Sequence, residues 1–311
     1  MSRFSIILNS LTTQPGYTLM RGVARFGSVR SLVAGARGAL HGERTRQMIE
    51  TCERRADESW FAGLDRSDFV RRLRDDGIAF GLRLPSTVVA QIRTWAEQQL
   101  CYADRDPQLG FHLADRPAAE AKLEKPILLA QYFNTATDCA PITRLAADPV
   151  LQWVAASYLG SVPTFVGANL WWTFPVRALE ADRNKHAHVY HRDVDDFRFF
   201  KFFFYLTDVP PGEGAHVCVT ASHREPPQLR AGDRWNIRRY GDDEISAVYP
   251  PARVKEICGE AGVGFAENTL CIHKASTPRH EARLLLQLQF ALFDYGAMHD
   301  RRPLQALSRL V

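Results

Sequence analysis

His191, Asp193 and His273 are the residues of this chain whose types and spacing could do chemistry. Two imidazoles and one carboxylate on one side of a divalent metal leave the opposite coordination positions open, which suits non-haem Fe(II), a cosubstrate and dioxygen. One residue separates His191 from Asp193, so on a β-strand both would point to the same face. His273 would then have to arrive on a second element. A His-x-Asp triplet alone is weak, because a surface histidine near a loop acid gives the same string. What surrounds the three residues decides.

The second half of the chain reads as strands. Residues 165–174, 188–193, 197–206, 216–220, 254–258, 269–273 and 283–293 are short, aromatic and β-branched, and Pro, Gly and Asp clusters separate them. That spacing predicts an antiparallel sandwich or barrel. The first half reads as helices. Asp68 to Leu73 forms a short amphipathic stretch ended by Asp76-Gly77, and residues 78–82 then look like a strand. Val88, Val89, Ile92 and Trp95 share one side of a helix that Ser86 could cap. Another helix starts at Asp148-Pro149 and stops at Gly160. The expected fold is mainly β with α, a double-stranded β-helix (a jelly-roll, cupin-like core) flanked by helices. Residues 1–60 would form a basic helical extension and residues 61–311 the main domain.

Composition agrees with a globular protein: 311 residues, 46% hydrophobic and 24% charged. Cys52, Cys101, Cys139, Cys218, Cys258 and Cys271 are scattered with no Cys-x-x-Cys pair, which suggests reduced thiols in a cytoplasmic protein. No apolar stretch approaches a membrane span, and the N-terminus lacks a continuous signal-peptide core. A net charge of +4 gives no reason to invoke nucleic acid. The charge is unevenly placed, however. Residues 1–50 hold seven arginines and two glutamates, +5, so the other residues sum to −1. Leu19, Val23, Phe26, Val29 and Val33 recur at helical spacing between Arg21, Arg25, Arg30 and Arg37. Such a segment packs on its own domain or contacts an anionic membrane surface or acidic partner; a transit peptide has similar composition.

The stretch from His191 through Asp195-Asp196-Phe197 to Lys201, continuing to Tyr205-Leu206-Thr207-Asp208-Val209, resembles the phytanoyl-CoA dioxygenase family. Gly214-Ala215-His216-Val217 and Ala221-Ser222-His223-Arg224 resemble its Gly-Pro-His and Gly-Ser-His signature, with alanine at 215 and 221 in place of proline and glycine. Asn268 to Lys274, then Pro278 and Arg283, resemble its distal-histidine strand and the arginine beyond it. The likeness runs from about 66 to 297. It implies a dioxygenase using Fe(II), 2-oxoglutarate and O2, with His191, Asp193 and His273 as iron ligands and Arg283, helped by Thr173, holding the cosubstrate. The implied reaction is hydroxylation of an unactivated C–H bond in a small-molecule or lipid-like substrate. A halogenase would need the carboxylate position free for chloride, and Asp193 fills it.

Arg283 supports this independently. It opens the otherwise apolar run Arg-Leu-Leu-Leu-Gln-Leu-Gln-Phe, and an arginine facing a barrel interior needs a carboxylate partner, which a dicarboxylate cosubstrate would supply; the alternative is pairing with a protein acid or facing solvent at the barrel mouth. Other candidates are substrate-lining: Asn169 and Trp171, which share a strand face with Thr173, Lys201 within a run of phenylalanines, and Tyr132 and Asn134 ahead of the strands. Each also has a plain structural reading as core, loop or edge residue. His186 and His188 break strand alternation with His191 and stay outside the ligand set. Two other functions use the same residues. One is a cupin-type metal enzyme without 2-oxoglutarate, and the other is a metal-free β-sandwich binding module.

Overall fold

The computed structural model describes residues 13–177, 180–224, 239–297 and 300–311. Among these, β1 (Ile78–Arg83), β2 (Leu100–Ala103), β3 (Gly110–His112), β4 (Leu129–Gln131), β5 (Thr164–Thr173), β6 (Phe199–Tyr205), β7 (His216–Val219), β8 (Val254–Ile257), β9 (Val263–Glu267), β10 (His273–Ala275) and β11 (Arg283–Ala291) form two antiparallel sheets. The large sheet runs β1-β9-β6-β11-β5-β4-β2-β3, and β10-β7-β8 face it. This is a jelly-roll core, and helices flank the outer face of its large sheet.

Alternation along the strands sorts side chains into two layers. Phe200, Phe202 and Phe204 of β6 and Leu284, Leu286, Leu288 and Phe290 of β11 pack outward with the helices. Phe203, Tyr205 and Leu285 point inward, with Trp171, Phe265 and Cys218. A strand buried on both faces reads as an unbroken apolar run, which explains the phenylalanine block. Single polar residues within such runs, Lys201 and Gln287, therefore mark the inner face.

The helical half folds largely as expected. Besides α1 (Pro15–Val23) and α2 (Gly27–Arg54), it contains α3 (Arg66–Asp75), α4 (Ser86–Gln98) and α5 (Pro149–Leu159). Asp148 caps α5 by accepting from the amides of Val150 and Leu151. Pro85, not Ser86, holds the N-cap position of α4, and no side chain caps it. Gly160, at φ +66°, ends α5 in the left-handed region. At Gly38, a Cβ would sit 2.8 Å from the Gly160 carbonyl oxygen, so glycine permits α2 to cross the end of α5 closely.

Three expectations change. No strand covers residues 188–193 or 269–272; Tyr190 and His191 make isolated bridges instead. The short β2, β3, β4 and β9 carried too little periodicity to be read. The single basic helix is two helices with a turn between them, and Met20 and Ala24 are buried against Val166, Val194, Phe199 and Leu270. Leu19, Val23 and Phe26, expected on the packed stripe, are exposed. Residues 1–12 of that segment lie outside the described residues.

Candidate active site

Backbone pairing brings the two histidines together. His191 and His273 each donate an amide hydrogen bond to the other's carbonyl at 2.9 Å, and their ring centroids are 4.2 Å apart. Asp193 follows on irregular chain, where its amide donates to the Thr269 carbonyl at 2.8 Å. One donor atom from each of the three residues lies within 4.8 Å of the others. The i, i+2 argument thus named the right neighbours through the wrong geometry, since a loop and not a strand turns the carboxylate inward.

The donor atoms are prepared for a cation. The His191 and His273 Nδ1 atoms lie 3.0 and 2.9 Å from the carbonyls of Val189 and Cys271. A proton on each Nδ1 leaves Nε2 with its lone pair, and both Nε2 atoms face Asp193, at 3.5 and 3.7 Å. Burial, with His273 alongside, holds the His191 imidazole well below its usual pKa, so it stays neutral. Burial alone would raise the Asp193 carboxyl, but Lys201 and the two histidines outweigh it and hold the group below the carboxylate range.

A second layer fixes the carboxylate. Lys201 Nζ lies 2.7 Å from Asp193 Oδ2 and 3.0 Å from Asp195 Oδ2. Asp195 Oδ1 also accepts from the Tyr17 hydroxyl of α1 at 3.1 Å. Asp196 accepts from the amides of Leu292 and Phe293 at 2.6 and 2.8 Å, tying the loop to the end of β11. On the other side, His216 stacks 5.4 Å from His273 and its Nε2 is 2.5 Å from Glu267 Oε2. Burial lowers His216 to about 3 and raises Glu267 to about 8, so this pair is neutral at pH 7, with the carboxyl proton facing an imidazole lone pair.

Arg283 completes one wall of the same cavity, of about 360 Å³. Its guanidinium is buried, donates to the carbonyl of Gly214 and to Thr173 Oγ1 (3.2 Å), and leaves Nε without a partner. Among the described residues no acid pairs with it. A buried, uncompensated arginine is costly, and a carboxylate ligand would relieve that cost.

The remaining candidates divide. Asn169, Trp171 and Lys201 line the cavity; Lys201 is neither a snorkelling edge residue nor a free anion binder but a clamp on Asp193. Tyr132 does not line it. Its hydroxyl donates to the Ala96 carbonyl at 2.7 Å and accepts from Trp172 at 2.9 Å, in the core between sheet and helices. Strand parity explains the difference, since Gln131 takes the inward position. Asn134 is also structural: its carboxamide bridges the carbonyl and amide of Arg302. His186 lines the cavity and contacts Asp104 at 3.1 Å, outside the ligand set. Residues given no site role from sequence are Tyr17, Asp195, His216 and Glu267; Asp195 and His216 fall in the family-like stretches, whereas Tyr17 and Glu267 carried no signal.

No protein-family model and no curated protein matches the chain. Solved structures resemble it at low identity. HygX from Streptomyces hygroscopicus, crystallised with nickel and 2-oxoglutarate, is 14% identical over 72% of this chain and 85% of its own, with a TM-score of 0.50. AviO1 from Streptomyces viridochromogenes Tue57 is 18% identical over 73% of this chain and 95% of its own, at 0.48. The epimerase SnoN, crystallised with Fe3+, alpha-ketoglutarate and nogalamycin RO, is 18% identical over 72% and 82%, at 0.48. The likeness to HygX is one of fold.

Proposed function

We propose that the protein is a non-haem Fe(II)- and 2-oxoglutarate-dependent dioxygenase of the phytanoyl-CoA dioxygenase type that hydroxylates a small molecule. The observation that carries this reading is the pairing, in one cavity, of the buried His191–Asp193–His273 donor set with an arginine that lacks an acid partner among the described residues. His191 and His273 would hold the metal through Nε2, and Asp193 through the oxygen that Lys201 leaves free. Arg283, oriented by Thr173, would bind the distal carboxylate of the cosubstrate. When bound, metal and cosubstrate together supply the O2-dependent oxidation of a C–H bond, with 2-oxoglutarate decarboxylated to succinate. The protein's part is to orient both and to keep the carboxylate ligand in place.

Succinate release from purified protein with Fe(II), 2-oxoglutarate and O2 tests the proposal. Turnover that persists without 2-oxoglutarate would favour a cupin-type enzyme, and absence of metal uptake a binding module. Six free cysteines, five of them buried, support a reducing, cytoplasmic setting; among the described residues no helix is long and apolar enough to cross a membrane. Within residues 1–60, the described part, from 13 onward, is a helical extension of the oxygenase domain in this reading. A peripheral role for it is favoured by Leu19 and Leu32, exposed at 67% and 73%, beside Arg21 and Arg25. Salt-sensitive binding to anionic vesicles, lost on deleting the segment, is the corresponding test.

A further inference from the structure

The cavity extends well beyond the metal and Arg283. Gln287 lies four residues along β11 from Arg283, about 13 Å at strand rise, too far to serve the same dicarboxylate. At this distant end Gln287 pairs in register with Asn169, while Gln131 pairs with Trp171, which stands opposite Leu285 between the two ends. Gln131 and Gln287 are only 5% and 9% exposed. Both line the cavity, and among the described residues neither carboxamide makes a hydrogen bond to another side chain or to backbone. Amides that face a cavity in this way can be paired by a polar ligand and not by an alkyl chain.

Arg105 stands at the mouth of the same end, its guanidinium 5.8 Å from the centre of the Trp171 ring. The chain presents it through two successive left-handed residues, Asp104 at φ +55° and Arg105 at φ +61°. Neither is glycine, so each conformation is strained by roughly 1 kcal/mol or more, and the surroundings must hold it. They do. The Asp104 carboxylate is taken by Lys125, by His186 at 3.1 Å and by Lys185 at 3.7 Å. It is therefore occupied and does not pair with its neighbour Arg105, which has no acid partner among the described residues. Arg302 lies on the same rim over the Phe133 ring, at 5.0 Å. Asp193 is the sole carboxylate among the described residues that line the cavity.

We propose that this end binds the substrate, and that the substrate is a polar small molecule carrying a phosphate or carboxylate, held by Arg105 over Trp171 and by the amides of Gln131 and Gln287. This rests on the oxygenase reading for the role of the site, but not for its affinity. It replaces the lipid-like alternative with a class that the cavity wall can satisfy.

Calorimetry on zinc-loaded, redox-inert protein saturated with 2-oxoglutarate provides the test, using inorganic pyrophosphate as the minimal probe. Pyrophosphate should bind, Arg105→Leu should weaken it at least about tenfold, and Arg83→Leu, an exposed arginine paired with Glu260 elsewhere, should not. Glucose 6-phosphate should bind more tightly than octyl phosphate, which carries the same head on an apolar chain. Affinity unchanged in Arg105→Leu overturns the subsite, and tighter binding of octyl phosphate overturns the polar class. Zinc uptake by the wild type is measured in the same series. Pyrophosphate binding that depends on Arg105 in a wild type that fails to take up zinc would remove the oxygenase reading and leave the subsite standing.

Discussion

Arg283 and Asp193 face the same cavity but are positioned in opposite ways. Arg283 sits on β11, a nine-residue strand paired on both sides, and its direction follows from alternation along Arg283–Ala291. Asp193 sits on irregular chain and is aimed by tethers from distant residues: Lys201, then Asp195 and Tyr17, with Asp196 fastened to the end of β11. A strand position is set by local period, whereas a loop position is set by whatever reaches it. The first should withstand the loss of neighbours and the second should not.

The largest effect expected from breaking this arrangement is at the ligands themselves. His191→Ala, Asp193→Ala and His273→Ala should each weaken Co(II) uptake by at least about 100-fold with the fold retained, since two remaining donors hold a labile divalent ion poorly. Near-normal uptake in any of them, measured by titration with circular dichroism as the fold control, would remove that residue from the ligand set.

The contrast sharpens at Tyr17. Tyr17→Phe deletes only the hydroxyl that holds Asp195, and it should weaken metal uptake by about tenfold, in the range of lost outer contacts. It should also shift the d–d bands of the Co(II) protein, which a purely structural loss of stability would leave in place. Unchanged bands and affinity would mean that α1 packs on the site without steering Asp193. Deleting residues 1–26 should do at least as much as Tyr17→Phe. The basic segment is thus expected to matter at the metal, a role its arginine pattern did not indicate.

That pattern shows where the sequence was legible. The phenylalanine run of β6 and the Arg-Leu-Leu-Leu-Gln run of β11 announced buried strands with odd polar members, and Arg283 and Lys201 could be singled out on that ground. The regular α5 was readable from Asp148 to Gly160 because its cap and stop are local. Tyr17 and Asp195 were not, because they meet across 178 positions of chain. Tyr132 was misplaced by one residue of parity, since β4 is three residues long and shows no period of its own. The stripe from Leu19 to Val33 misled because a turn after Val23 rotates the second helix, so one continuous periodicity describes neither.

A smaller effect lies in the neutral pair on the far side of His273. Burial raises Glu267 to about 8, so the folded protein retains a proton that the unfolded chain releases near pH 4.5. The resulting stabilisation is complete below that pH and is lost as pH rises through 8. Glu267→Gln keeps a neutral hydrogen-bond donor toward His216 without the titration. Its stability relative to wild type should improve by roughly 1–3 kcal/mol between pH 5.5 and 8.5, read from denaturant curves; a constant difference would show that Glu267 is ionised throughout. Smallest of all, Ala221 sits at φ +59° where the resembled signature has glycine. Ala221→Gly should raise stability by about 0.5–1 kcal/mol, and a loss would mean that contacts of the methyl group outweigh the strain.

The central claim is that one cavity holds a metal at His191, Asp193 and His273 and a dicarboxylate at Arg283. Titrating 2-oxoglutarate into Co(II)-loaded wild type and Arg283→Leu tests it most directly. The variant should take up Co(II) normally but bind 2-oxoglutarate about 30-fold to several thousand-fold more weakly, the cost of roughly 2–5 kcal/mol for a broken buried charge pair. Equal 2-oxoglutarate affinity in the two proteins would contradict it and make Arg283 a structural residue.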